Sequence, residues 1–159
     1  MNTLFLSLCV MFPQAYQLSD YQKKSICKYE NYIYDQADLN GIEPELLASL
    51  IFVESAFYKN AVSKANACGL TQVIPKYTGS RETGWKKYTC KQLKNPRTSI
   101  AVGAQILRYI IDYYAGGNVD KGLCIYNAGM RCARNKNLYK RSKYVKKVRR
   151  VYDSLTDGC

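Results

Sequence analysis

The sequence predicts a mostly α-helical, single-domain protein, and three observations predict it. Apolar residues recur at helical spacing in separate segments, those segments are bounded by residues that start or stop helices, and only residues 78–96 are polar and irregular. That one stretch is expected to hold a small β-hairpin or a long loop. A chain of 159 residues suits one domain with a sizeable core.

Taken in order, residues 1–15 contain a short apolar run from Leu4 to Phe12. It is too short to span a bilayer and is read as a signal peptide or apolar leader, cleaved near Ala15. The alternative is an apolar segment packed on the domain. The domain itself is assigned to residues 19–159. Ser19 followed by Gln22 forms a capping-box pattern that opens a helix from Asp20 to Leu39, with Tyr21, Tyr29, Tyr32 and Ile33 as its apolar contributors. Gly41 separates this helix from a second over residues 41–58, where Pro44 suits the first helical position and Glu45 the positive end. Residues 58–67 read as a loop, followed by a short helical piece limited by Pro75.

Residues 99–114 give a strongly periodic helix, with Ile100, Gly103, Ile106, Leu107, Ile110 and Ile111 on one side and Gly116-Gly117 ending it. Asn118 caps a short helix that Gly129 terminates. A last helix covers residues 141–155, its apolar side formed by Tyr144, Val145, Val148, Val151 and Tyr152. Its other face carries Arg141, Lys143, Lys146, Lys147, Arg149 and Arg150, either a solvated face or a surface that contacts an anion.

The formal charge is +12, from 24 Lys and Arg against 12 Asp and Glu, which favours an anionic partner such as nucleic acid, a membrane surface or an acidic wall polymer. There is no histidine, which excludes His-based triads and His-containing metal sites. The sequence also lacks a C-x-x-C pair, a P-loop and a dinucleotide fingerprint. No metal and no cofactor are therefore expected, and the chemistry falls to carboxylates, hydroxyls and amides. Seven cysteines are present. If Cys9 leaves with the leader, Cys27, Cys68, Cys90, Cys124, Cys132 and Cys159 remain, an even set that fits an oxidising compartment; reduced thiols in a cytosolic protein are the alternative.

Glu54 is the leading candidate residue. It lies seven residues after Leu47, four after Leu50 and three after Ile51, on the stripe those residues bury. A carboxyl group in apolar surroundings keeps a donatable proton near neutral pH, as a general acid requires. By periodicity alone, a stripe-edge or ion-paired glutamate remains open.

Three segments add to this in order along the chain. Glu54-Ser55 closes a helix and is followed by FYKNAVSKANACG; Gly69-Leu70-Thr71-Gln72 comes next; Tyr126-Asn127-Ala128-Gly129 is the third. Together they resemble the lytic transglycosylase domain of the soluble (SLT) type, in the goose-type lysozyme superfamily, over residues 42–152. The family usually has G-L-M-Q and A-Y-N-A-G, so Thr71 and Ile125 are departures. Asn95-Pro96 and Gly103 match a family helix start in which Ser99 replaces an asparagine.

The resemblance implies a lysozyme-like fold and a peptidoglycan substrate cut at the MurNAc-β-1,4-GlcNAc bond. Glu54 would protonate the leaving oxygen, the sugar's acetamido group would replace a second carboxylate, and Glu54 would then act as base to give a 1,6-anhydro product. Between Phe57 and Ile111 the only acidic residue is Glu82, so a hydrolytic lysozyme would have to recruit Glu82 or Asp112 to activate water. The resemblance places Tyr126 beside Glu54 with its hydroxyl on the carboxyl, a core tyrosine being the alternative. It offers Gln72 to an acetamido group or hydroxyl, against a solvated helix residue. Ser55 either contacts the muramyl unit or caps the helix, and Asn127 is a substrate-binding candidate that also suits organising the turn before Gly129.

The partners expected are peptidoglycan glycan strands, with anionic wall polymers or a secretion, conjugation or phage assembly as further associations. The protein is expected to be a monomer, exported to the periplasm or beyond, or carried by a phage particle. The competing functions are a goose-type muramidase and a non-catalytic wall-binding module. Nucleic-acid binding ranks last, since it explains the charge but none of the three segments.

Overall fold

A computed structural model describes residues 7–157, and its secondary structure is mostly helical with no sheet among them. The order is α1 (Leu8–Ala15), α2 (Asp20–Leu39), α3 (Pro44–Ser55), α4 (Cys90–Leu93), α5 (Pro96–Tyr113), α6 (Val119–Ala128), α7 (Met130–Arg134), α8 (Leu138–Arg141) and α9 (Lys143–Thr156). Single 3-10 turns occur at Pro75–Tyr77 and Arg81–Thr83. No described helix is long and apolar enough to cross a membrane.

Where capping chemistry is local, the helices start where the sequence places them. Ser19 and Gln22 form the reciprocal capping box of α2, Pro44 occupies the first turn of α3, and Asn118 accepts from Lys121 N–H to open α6. Helix α5 begins earlier than its apolar period suggests, because Asn95 caps it and Pro96 is preset for the first position. The basic C-terminal stretch contains two helices, with Ser142 capping α9.

Elsewhere the structure differs from expectation. Helix α3 stops at Ser55 because Ala56 and Phe57 take positive φ values of 50° and 64°. The reversal sends the fully buried Phe57 ring against Phe12, with centroids 5.4 Å apart, and Gln22 Nε2 donates to the freed Ala56 carbonyl at 3.2 Å. In place of a helical piece before Pro75, the chain makes tight turns with isolated antiparallel bridges joining Cys68 to Val62 and to Val73. Gly69 makes this possible: at φ +81° any Cβ would lie 1.9 Å from the Leu93 carbonyl oxygen. No hairpin forms in residues 78–96; the segment folds as a 3-10 turn and α4, itself started by a Thr89/Gln92 capping box.

The segment read as a leader is the largest difference. Leu8, Met11 and Phe12 are buried in the main core, and Cys9 is disulfide-bonded to Cys27 of α2. The other bridges are Cys68–Cys90 and Cys124–Cys132. The cysteine set in the structure therefore includes Cys9, where the expected set drops it, and Phe12 of α1 packs against Phe52 and Phe57. Cys159 lies outside the described residues. A smaller core of Cys68, Val73, Leu93 and Val102 sits under the loop segment, tied by the Cys68–Cys90 bridge.

If α1 is integral, Phe12→Ala should cost about 3–5 kcal/mol in urea denaturation, the usual range for emptying a buried phenylalanine site. Peptide mapping without reductant should recover Cys9 linked to Cys27. A mature protein that lacks the Cys9 peptide and has an unmoved midpoint would favour the leader reading.

Candidate active site

The C-terminal end of α3 forms one side of a cleft of about 670 Å³. Phe52, Val53, Glu54 and Ser55 come from α3, Tyr16 follows α1, Val62, Ser63 and Gln72 come from the loops, and Lys147, Arg150 and Val151 come from α9. Helix α9 packs along α3. Tyr144, Lys147 and Val151 are spaced i, i+3, i+7, so one stripe of α9 faces the glutamate.

Leu47, Leu50 and Ile51 are fully buried, and Glu54 continues their stripe to the edge of the cleft. Its Oε1 accepts a hydrogen bond from the Tyr144 hydroxyl at 2.6 Å. Burial raises the Glu54 pKa to about 7, while the Tyr144 hydrogen bond and the charge of Lys147 pull it down. Removal from water therefore outweighs two favourable partners, and the group is divided between acid and carboxylate near neutral pH. Tyr144 and Tyr126 are both raised, first by burial and then by the charge of Glu54, so each remains a neutral hydroxyl donor.

Tyr126 is half-buried and its pKa responds to the charge of Glu54, but its hydroxyl donates to the Thr71 carbonyl at 2.7 Å. The hydroxyl that holds the carboxyl belongs to Tyr144 instead. Thr71 is fixed in turn: its hydroxyl donates to the Ser99 carbonyl at 2.7 Å, and its N–H donates to Ser99 Oγ at 3.1 Å. A Cβ on Gly103 would meet Thr71 Cβ at 2.4 Å, so α5 can approach the turn only through a glycine. Gln72, at φ 52°, donates through Nε2 to the Ala61 and Gly69 carbonyls at 3.0 and 2.9 Å, so Oε1 is the atom it can offer a ligand. Ser55 lines the cleft while its hydroxyl donates to the Ile51 carbonyl at 3.1 Å. Asn127 is exposed on the last turn of α6 and does not line the cleft.

Glu54 is the only acidic residue in that lining. Glu82 lies in the Arg81–Thr83 turn, packed near α5, and Asp112 is paired with Arg108 on the same helix. Neither reaches the cleft. Sequence reading had placed Tyr144 on the apolar side of the last helix and overlooked Lys147, Arg150, Tyr16 and Ser63 as cleft residues. The available signal for Tyr144 was a hydroxyl-bearing residue on a stripe otherwise occupied by valines.

The described residues thus form a mostly helical domain with one carboxyl of raised pKa on the wall of an open cleft. The family model described as Transglycosylase SLT domain matches residues 31–148, and the chain belongs to that family. Among solved structures, an inactive mutant of the lytic transglycosylase Slt from Pseudomonas aeruginosa is similar at 21% identity and a TM-score of 0.67, covering 92% of this chain and 26% of that one. The 70-kDa soluble lytic transglycosylase of Escherichia coli matches at 18% identity and a TM-score of 0.65, covering 87% of this chain and 25% of that one. A complex of the 70-kDa soluble lytic transglycosylase with bulgecin A matches at 19% identity, with a TM-score of 0.66 and coverage of 87% and 25%. The chain thus spans about a quarter of the length of these structures, and the likeness is one of fold.

The folded protein holds the Glu54 proton more tightly than an unfolded chain, so stability falls as pH rises from the ordinary carboxyl range through about 7. Glu54→Gln should therefore be more stable than wild type at pH 8, by about 3 kcal/mol, with the gain absent at pH 4. Urea midpoints at the two pH values check this, and an equal gain at both would contradict the assigned shift. Tyr144→Phe removes a donor that favours the carboxylate, and the Glu54 titration followed by carboxyl ¹³C NMR should move above 7.

Proposed function

We propose that this protein is a peptidoglycan lytic transglycosylase that cleaves the MurNAc-β-1,4-GlcNAc bond and forms 1,6-anhydroMurNAc, with Glu54 as its single catalytic carboxyl. The observation that carries the reading is a cleft whose only acid has a pKa of about 7, in a chain of the SLT family. A value near 7 suits a group that must first give a proton and then take one back.

Glu54 donates its proton to the bridging oxygen as the bond from C1 of the muramyl unit to that oxygen breaks. The acetamido carbonyl oxygen of the same sugar stabilises the electron-poor C1, the task a second carboxylate has in most glycosidases. The Glu54 carboxylate then removes the proton of the muramyl 6-hydroxyl, O6 bonds to C1, and the acetamido oxygen is released. Glu54 ends protonated, and no water enters.

Tyr144 acts as a positioning residue, keeping one carboxyl oxygen fixed and leaving the other for the substrate. Gln72 and Ser55 offer polar contacts to the sugars, while Tyr126 acts through the Thr71 turn. Asn127, exposed and outside the cleft, organises the approach to Gly129. A wall substrate and three disulfides among the described residues support export to an oxidising compartment.

The test is mass spectrometry of the muropeptides released from purified sacculi. Wild type should give 1,6-anhydro ends, and Glu54→Gln should release at least about a thousandfold less while still binding sacculi. Products with reducing ends would indicate a muramidase, and no products from wild type would indicate a binding module. Activity should fall as pH rises above about 7, since the acid form of Glu54 is then depleted.

A further inference from the structure

Three of the five cations of α9 have assigned surroundings. Arg149 pairs with Asp120 at 2.6 Å and ties α9 to the start of α6. Lys147 and Arg150 instead line the cleft beside Glu54, and no carboxylate among the described residues pairs with either. They are exposed and lie three residues apart, on neighbouring positions of the helix surface.

Neither charge pairs with a carboxylate of the fold; Lys147 lowers the Glu54 pKa, and Arg150 contributes no such effect to the carboxyl. The glycan backbone of a stem-bearing strand offers them no anion, since its sugars are N-acetylated and each lactyl carboxyl is amide-linked to the stem. The peptide stem does carry charge. It leaves the lactyl group of the muramyl unit whose glycosidic bond is cut, and it bears free carboxylates. A stem attached to the reacting sugar projects within reach of long side chains on the cleft wall.

We propose that Lys147 and Arg150 bind the free carboxylates of peptidoglycan stem peptides, so that the enzyme selects strands bearing anionic stems. This rests on the transglycosylase reading. It assigns the basic face of α9 two roles, one structural through Arg149 and one in substrate selection through Lys147 and Arg150.

The test compares kcat/KM on defined glycan strands whose stems carry free carboxylates, on the same strands with those carboxylates amidated, and on strands without stems. Wild type should prefer free carboxylates over amidated stems by about fivefold or more at low salt, with the gap narrowing as ionic strength rises. The double variant Lys147→Gln/Arg150→Gln should bring that ratio to about one. Lys147→Arg/Arg150→Lys, which keeps both charges, should retain it. Because each ratio is taken within one protein at one pH, changes in Glu54 titration cancel. Equal kcat/KM on both stem types by wild type, or a preference that survives in the Gln double variant, overturns the proposal. If wild type cleaves none of the strands, the transglycosylase reading fails instead. Equilibrium binding of Glu54→Gln protein to the same strands then decides the charge preference separately.

Discussion

The hydrogen bond from Tyr144 to Glu54 is the constraint on which the site depends. It joins the end of α3 to the first turn of α9 and supplies a polar partner to a carboxyl that burial would otherwise leave unsatisfied. A neutral hydroxyl is a suitable partner because it supports either protonation state. It can donate to the carboxylate, or to the carbonyl oxygen of the acid. An arginine in its place would fix the carboxylate and abolish the acid. The Tyr144 pKa is itself raised by burial and by Glu54, so the donor stays protonated while its partner titrates.

The loop segment is held against α5 by a second, separate set of bonds. Thr71 and Ser99 are hydrogen-bonded to each other, a contact between two small hydroxyl residues that Gly103 allows by its close approach to Thr71. Tyr126 then bonds the Thr71 carbonyl, which transmits the position of α6 to the turn carrying Gln72. The cleft is therefore bounded on one side by the α3–α9 contact and on another by this turn, with each side fixed by its own hydrogen bonds.

Local signals were the most legible in the sequence. The bounds of α2 follow from a capping box that needs only residues 19–22, and α6 is set by Asn118 and Gly129, which flank it. Glu54 was readable because its anomaly is a matter of spacing within one helix. The Tyr144 contact was not, since it joins residues 90 apart in sequence and nothing in the last helix distinguishes a core tyrosine from one that bonds Glu54. Tyr126 was placed near Glu54 through a motif, yet its hydroxyl direction depends on where the Thr71 carbonyl lies. The packing of Leu8 and Phe12 was not legible for a related reason. An apolar run that closes a core and one that crosses a membrane differ in their partners, not in composition.

The strong net charge takes its meaning from position. Most of the excess cations are exposed, where solvent screens them, and they neither define the fold nor act on the cleft. Lys147 is different because it acts on a carboxyl already removed from water, where a nearby charge shifts protonation most. Burial alone would hold Glu54 protonated and make it a poor base, whereas a stronger cation would make it a poor acid. With burial set against one tyrosine and one lysine, the balance is a pKa near 7. In the proposed reaction, that is the condition under which one carboxyl can serve both halves without a second.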